Sequence, residues 1–347
     1  MPTLNEIALE AGVSIATVSR TFAAPERLNK ETRERVLAVA DRMNYRPRRS
    51  PVARAAPLDD FIGFHFFASS KSDTLRDNTF YAAVLAGAQA EAAAQGVHLV
   101  LHTSHPGQIA QELPKMVRDR TVAGLLLVGI GADDASVLKA FSDYIPHIVL
   151  VDNHDPTGRH DSVLSDGAGG AFAATQHLFS LGHRRVGFLL SDSRVKTFRD
   201  RLQGYLGAHY EAGIPIDPSL IMPMEGLEDV YAHLTPYLVS PDRPTALLAS
   251  NDLAASAVMQ ICRHLSIEIP NALSLIGFDD LGFSSHTFPT LSTVKVDKEA
   301  LGRTALRLLR TRLRSDTPDA NDPPHSLVLP VSLILRQSCR AMATTSP

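Results

Sequence analysis

The sequence predicts an α/β protein in which a small all-α helix-turn-helix head is followed by two doubly wound parallel-sheet lobes. Three observations predict it. Two short amphipathic segments joined by a glycine-bearing turn open the chain; from residue 61 short apolar runs alternate with amphipathic stretches, as parallel strands and helical crossovers do; and that alternation restarts near residue 185. At 347 residues the chain also exceeds what one core usually serves.

Composition excludes several classes. With 44% hydrophobic and 20% charged residues the chain is neither disordered nor fibrous in character. Its start lacks a basic stretch followed by an apolar run, and no stretch reaches membrane-spanning length, so a cytoplasmic protein without membrane partners is expected. Cys262 and Cys339 are too few for a disulfide framework and lack zinc-site spacing, so no metal and no cofactor is expected. The net charge of −3 is unevenly spread: residues 1–56 hold ten Lys and Arg against six Asp and Glu, or +4, leaving 24 against 31, or −7, for the rest. A basic head on an acidic body fits a phosphate-rich partner for the head, because local charge governs that attraction. A solvated charged linker is the alternative reading of the arginines at 42, 46, 48, 49 and 54.

In the head, Thr3 and Glu6 are spaced as a capping box, so a helix starts there with Ile7, Ala8 and Ala11 on one face and Gly12 as its left-handed stop. Ser14 caps a second helix that turns Val18 inward. A third opens at Asn29 and carries Val36, Val39, Ala40 and Met43 at helical spacing. Two short helices joined by a three-residue turn form a helix-turn-helix, a motif shared by DNA readers and plain helical packing.

The run TLNEIALEAGVSIATVSR over 3–20, with KETRERV over 30–36 and NYRP over 44–47, closely resembles the lac/gal repressor family of bacterial transcription regulators. The resemblance implies that the helix over 14–22 enters the major groove, with Ile15, Ala16 and Arg20 at base edges, Ser14, Thr17, Ser19 and Thr32 near phosphates, and Thr3 and Leu4 as further DNA-binding residues. Arg20 has a fork suited to guanine, whereas Ile15 and Ala16 offer only apolar contact; Ile15 in the head's core and a solvated Arg20 are the competing readings. The segment RPRRSPVARAAP over 46–57 departs from the family. It has no leucine before Leu58 to wedge into the minor groove, and Ala56 stands where that leucine belongs. We expect Arg48, Arg49 and Arg54 to read minor-groove potential and width instead.

In the body, strands are expected at 61–66, 98–102, 124–128, 147–151, 185–190, 246–249 and 273–277, with helices such as 81–95, 204–212 and 252–264. Ligands bind such sheets at the carboxyl ends of the strands, which puts a site in a cleft between the lobes. The resemblance extends here through ASND at 249–252, IGFDD at 276–280, PTLST at 289–293 and LPVSLILR at 329–336, and implies lobes of periplasmic-binding-protein type. It implies a head at 1–46, a hinge at 47–59, and an effector-binding and dimerisation domain at 60–340. Within that domain the first lobe is expected at about 60–164 and 292–325, the second at about 165–291 and 326–340.

Carried over position by position, Arg201, Asn251, Asp279 and Asp152 line an effector site, with Phe80 and Tyr81 as an aromatic wall. Carboxylates that accept from hydroxyls, a guanidinium that donates, and an aromatic face over C–H groups suit a sugar or other small polar effector. Each residue also has a structural reading: Asp279 and Asp280 could cap a turn, Asn251 and Asp252 could be a helix N-cap pair, and Phe80 could be core. The partners implied are a palindromic double-stranded operator, a small effector and a second copy of the chain, since two heads on a twofold match a palindrome. No heptad repeat follows Arg340, so a tail-mediated tetramer is not expected. Two other classes remain at this point. A sugar-binding protein without DNA function would share the lobes but not need the head, and a glycosidase could pair Asp279 with Asp152. The chain has no phosphate loop, nucleophile elbow or dinucleotide fingerprint, and GAGG at 167–170 reads as the start of a helix, so no enzyme is expected.

Overall fold

The computed structural model of the chain describes residues 4–15, 17–18, 21, 29–43, 60–68, 73–105, 113–129, 135–155, 157–192, 195–224, 227–314 and 323–342. The chain divides into two compact units, Met1–Ala56 and Pro57–Pro347.

In the first unit, α1 (Leu4–Ala11) ends at Gly12, whose φ of 65° lets the Val13 amide reach back to the Ala8 carbonyl at 3.0 Å. Ser14 Oγ accepts from the Thr17 amide at 3.1 Å and so caps the next helix. Asn29 caps α2 (Lys30–Arg42) by accepting from the Thr32 amide at 2.8 Å. Ile7, Ala8, Ala11, Val18, Val36, Val39 and Ala40 close into one small core, with Val13 and Met43 against it. An exposed ion pair, Arg42 to Glu10 at 2.7 Å, ties α2 to α1. The expected Thr3 capping contact and the hinge at 47–59 lie outside the described residues.

The second unit holds two six-stranded sheets. The first lobe runs β1 (Phe61–Phe67), α3 (Thr79–Gln95), β2 (His98–Ser104), α4 (Lys115–Arg118), β3 (Gly124–Val128), α5 (Ala135–Ser142), β4 (Ile148–Val151) and β5 (Asp161–Ser165). The second runs α6 (Gly167–Ser180), β6 (Val186–Leu190), α7 (Lys196–Ala212), β7 (Ile221–Pro223), α8 (Leu227–Val239), β8 (Ala246–Ala249), α9 (Asp252–His264), β9 (Ser274–Asp279) and β10 (Ser292–Lys295). Then α10 (Lys298–Arg314) and β11 (Ser326–Leu329) return to the first lobe, and β12 (Ser332–Ile334) closes the second. The sheet orders are β11-β5-β4-β3-β1-β2 and β12-β10-β9-β8-β6-β7, and every pairing is parallel except β10 with β12. Each lobe therefore has the same winding, with the second strand outside the first and the order reversing between the first and third. Helices cover both faces, which is why β3, β4, β6 and β8 are buried from end to end.

Two expected boundaries are corrected by the ladder. Ser292–Lys295 pairs with β9 in the second sheet, whereas the first lobe was expected to resume at 292; Ser326–Leu329 pairs with β5 in the first sheet, not with the second lobe. The polypeptide crosses between lobes at residue 166, at 296–297 and at 330–331. Both shifts have one cause: each strand finishes the sheet it runs beside before the chain turns across. Strands β10, β11 and β12 were not among the seven expected, nor were β5 and β7. Strand β5 carries Asp161, Ser162 and Ser165 among two apolar residues, and β7 has three residues ending in proline.

Helices α3 and α10 cross at glycines. A Cβ on Gly302 would lie inside the Val84 carbonyl, and one on Gly87 inside that of Glu299. In the second lobe α7 meets α6 in the same manner at Gly204, against the Ala168 carbonyl. Among the described residues no helix is long and apolar enough to cross a membrane.

Candidate functional site

On the head, Ser14 is exposed, Ile15 is 50% exposed, and Thr17 and Thr32 are half-buried. Ile15 thus stands outside the head's core, which Val18 enters instead. Thr21 is buried and donates to the Thr17 carbonyl at 3.0 Å. Thr3, Ala16, Ser19, Arg20, Arg48, Arg49 and Arg54 lie outside the described residues, as does the side chain of Leu4.

In the body, polar side chains gather where strands of the two lobes end. Asp152 follows β4 with φ of 57°, and Asp279 ends β9 with φ of 108°, followed by Asp280 at 52°. Left-handed backbone is tolerable for aspartate at 57° and costly at 108°, so the surrounding packing must hold Asp279 there. Arg201, from α7, is 2% exposed. Its Nη2 donates to Asp279 Oδ1 at 3.1 Å and its Nη1 to the Ser250 carbonyl, and its guanidinium lies 3.8 Å from the ring centre of Phe278 and 5.4 Å from that of Phe198. Stacking on two rings leaves a cation in a dry site without a second carboxylate. Arg201 Nε and Asp152 Oδ1 are buried and have no hydrogen-bond partner among the described residues.

Tyr81 and Phe80, in the first turn of α3, are half-buried and pack edge to face at 5.2 Å, with Asn78 capping the turn at the Tyr81 amide. Burial raises the Tyr81 phenol well above its usual value, and Asp152 and Asp279 add to this, so Tyr81 feels acids from both lobes. Burial likewise pushes Asp279 up to about 7; Arg201 and Lys298 pull it down, while Asp252 and Asp152 push it further up. Asp152 rises to about 6 by burial, with Arg201 and the neighbouring Ser165 opposing. Both carboxyls are therefore raised above the ordinary carboxylate range, Asp279 further than Asp152.

Asn251 Oδ1 accepts from the Ala254 amide at 2.7 Å, capping α9, so only its amide nitrogen is left to donate to a ligand. Asp252 is fully buried and accepts from the Leu281 amide, Ser284 and Thr293, which makes it a structural hub. Asp280 pairs with Arg336 at 2.6 Å instead of capping a turn.

The comparisons with known proteins agree with this layout. Residues 3–48 match the family described as bacterial regulatory proteins, lacI family, and residues 175–339 match the periplasmic binding protein-like domain. The chain joins a lacI-family DNA-binding domain to a periplasmic-binding-protein-like domain. Over their full lengths, lacI-type relatives include the transcriptional repressor PurR of Photobacterium profundum, 28% identical and aligned over 98% of this chain and 99% of its own. The transcriptional regulator DegA of Bacillus subtilis is 29% identical, over 99% of each. Among solved structures, the transcriptional regulator CelR–cellobiose complex superposes with a TM-score of 0.72 at 28% identity, covering 97% of this chain and 100% of that one. These relatives are regulators, not enzymes.

One constellation outside the cleft has the spacing of a nucleophilic triad. Ser142 Oγ lies 2.6 Å from His160 Nε2, and His160 Nδ1 lies 2.7 Å from Asp155 Oδ2. Ser142 Oγ, however, also reaches the Leu138 carbonyl at 2.8 Å, as serines within helices do, so its one hydrogen has two acceptors competing for it. Asp155 is buried, yet hydrogen bonds from Thr157, Arg159 and His160 outweigh that burial and hold it at about 2. The group clasps the loop that begins at Asp152 onto α5.

Of the six expected effector residues, Arg201, Asp279, Asp152 and Tyr81 thus act on one another, while Asn251 follows Ser250 in the chain and Phe80 packs on Tyr81. Sequence reasoning missed Phe278 and Phe198 beneath Arg201, Ser250 above it, and Lys298, whose Nζ donates to the carbonyls of Asp279, Asp280 and Val296. Phe278 and Ser250 sit inside the IGFDD and ASND runs and were legible there. Nothing in the sequence near Lys298 marks it.

Proposed function

We propose that this lacI-type chain is a sequence-specific transcription regulator, a repressor acting as a cytoplasmic homodimer on a palindromic operator, whose DNA affinity is set by a small polar effector, a sugar or sugar derivative, between the lobes. The observation that carries the reading is the buried Arg201–Asp279 pair, with the unpartnered Asp152 Oδ1 facing it from the other lobe, in the same chain as a lacI-type head. A relative solved with cellobiose and another named the ribose operon repressor support a sugar. In the head, Arg20 reads a base edge together with Ile15 and Ala16, and Thr3, Leu4, Ser14, Thr17, Ser19 and Thr32 hold the backbone. The arginines at 48, 49 and 54 follow the minor groove. In the body, Phe80, Tyr81, Asp152, Arg201, Asn251 and Asp279 hold the effector. Ligand that binds one relative orientation of the lobes better than another shifts operator affinity by that difference.

Selection of binding sites from random duplexes with the full chain tests this directly. The expected result is one palindromic consensus, lost or strengthened when a bound sugar is added. Arg20→Ala should cost about 1–3 kcal/mol on that consensus and relax one base position. Replacing Arg48 and Arg49 together by alanine should weaken binding to that consensus and flatten its salt dependence. Equal affinity for every duplex sinks the reading.

A further inference from the structure

We infer that the ligand taken between the lobes carries no negative charge: it is a neutral polyol or a cationic amine that gives a hydrogen bond to Asp152, and not a phosphate ester or a sugar acid. This rests on the effector reading above and narrows it.

The argument is one of unspent charge. Three cations stand among the acids at the strand ends, and each is committed. Arg201 is bonded to Asp279 and the Ser250 carbonyl. Arg336 is bonded to Asp280 at 2.6 Å and to the Leu291 carbonyl at 2.7 Å. Lys298 spends its three hydrogens on three backbone carbonyls and lies 5.9 Å from the Phe80 ring centre. The charge left over is negative. Asp152 is 8% exposed; among the described residues its Oδ1 accepts from nothing, the Ser165 hydroxyl is the side chain placed to bond the carboxyl, and Arg201 acts on it only at a distance, with no ion pair between them. A buried acceptor left open in this way is costly unless something bound there donates to it. Two other groups near it are open, the Ser165 hydroxyl and Arg201 Nε, and between them they suit single hydroxyl or carbonyl oxygens and not the three oxygens of a phosphate.

An anionic ligand would meet two penalties. Seated near Asp152 it would place like charges together in a site screened from water, where repulsion is several times stronger than at a surface. Taking Arg201 for itself would strip Asp279 of its partner and leave a buried carboxylate alone. A hydroxyl or ammonium donor meets neither. The upward displacement of Asp152 to about 6 agrees with a carboxyl that lacks a cation of its own.

The experiment is calorimetry and thermal melting of the purified full-length chain at about pH 7.5, above the raised Asp152 value, with charge-matched sets: ribose against ribose 5-phosphate, and glucose, glucosamine and cellobiose against glucose 6-phosphate and glucuronate. The strongest binder is expected to be uncharged or cationic, with its phosphorylated or acidic counterpart at least about tenfold weaker. Asp152→Asn keeps a residue at home in left-handed backbone and should weaken the neutral ligand while bringing the ratio within the pair toward one. An anionic ligand that binds more tightly and still shifts operator affinity overturns this inference and leaves the regulator reading standing, as does a ratio that Asp152→Asn does not move. If nothing in the sets binds, the effector reading and this inference fall together.

Discussion

Arg201 divides its guanidinium among Asp279, the Ser250 carbonyl and two aromatic rings, while Asp279 has Arg201 as its one side-chain ion-pair partner among the described residues. The asymmetry decides what mutation does. Removing Arg201 vacates a large buried volume and leaves a carboxyl with only the more distant Lys298 to offset its desolvation, whereas Asp279→Asn keeps an oxygen for Nη2 and adds no backbone strain beyond what the aspartate already bears at φ of 108°. Arg201→Ala is therefore expected to lower unfolding free energy by about 3–5 kcal/mol, and Asp279→Asn by less than half of that. Both should abolish any effector response. Urea denaturation followed by circular dichroism separates the two, and equal losses would mean that packing alone decides the cost. The acid's raised value has the same origin: an ion pair at 3.1 Å reduces the desolvation of a fully enclosed carboxyl without cancelling it.

At the scale of elements, the helix pairs that hold each lobe together are set by glycines that touch backbone. Gly302 in α10 has the Val84 carbonyl where a methyl group would go, so Gly302→Ala must push two helices apart and should cost about 1–3 kcal/mol or more. Gly207 in α7 is the internal control. A Cβ there would meet only Phe172 at an ordinary 3.7 Å, so Gly207→Ala should be neutral or stabilise by up to about 1 kcal/mol through helix propensity. Midpoints of thermal unfolding for the two variants should move in opposite directions. Such crossings are not legible in a sequence, because a glycine in a helical run looks the same whether or not another backbone lies over it. What was legible followed from periodicity and caps. The limits of α9, β3 and β8 were met to the residue, and Asn29 and Gly12 began and ended helices as their chemistry requires. Helix α7 extends eight residues before the expected 204, because Lys196–Asp200 and the flanking aromatics disguise an apolar face. The cleft was half legible: Arg201, Asp279 and Asp152 come from motifs, whereas Lys298 depends on a chain crossing that only the folded topology supplies.

At the scale of the whole molecule, buried titratable groups pull stability in opposite directions with pH. His65 lies at the centre of β1, fully buried with neither ring nitrogen bonded, stacked on His102 at 5.0 Å and edge-on to Phe141. Burial first, and His102 second, lower it to about 3, and burial also lowers His102, His177, His183 and His209. A group whose folded value is depressed releases its proton on folding, so the unfolded chain binds more protons once pH falls below about 6.5. Asp152 and Asp279 act the other way. Their raised values make the folded chain the better proton binder between about 4 and about 6 or 7, a contribution present in acid and lost as pH rises through that window. Up to five protons taken by unfolding at these histidines thus oppose up to three taken by folding, at Asp152, Asp279 and Asp252, which burial also raises. The body should lose stability steadily from about pH 6.5 down to about pH 4.5, with His65 alone contributing about 1.4 kcal/mol per pH unit. His65→Phe keeps a ring in that stack and removes the proton, so urea denaturation of the variant at about pH 7, 5.5 and 4.5 should show a slope shallower by about one proton. An unchanged slope would mean that His65 is protonated in the folded chain, or that water reaches it there.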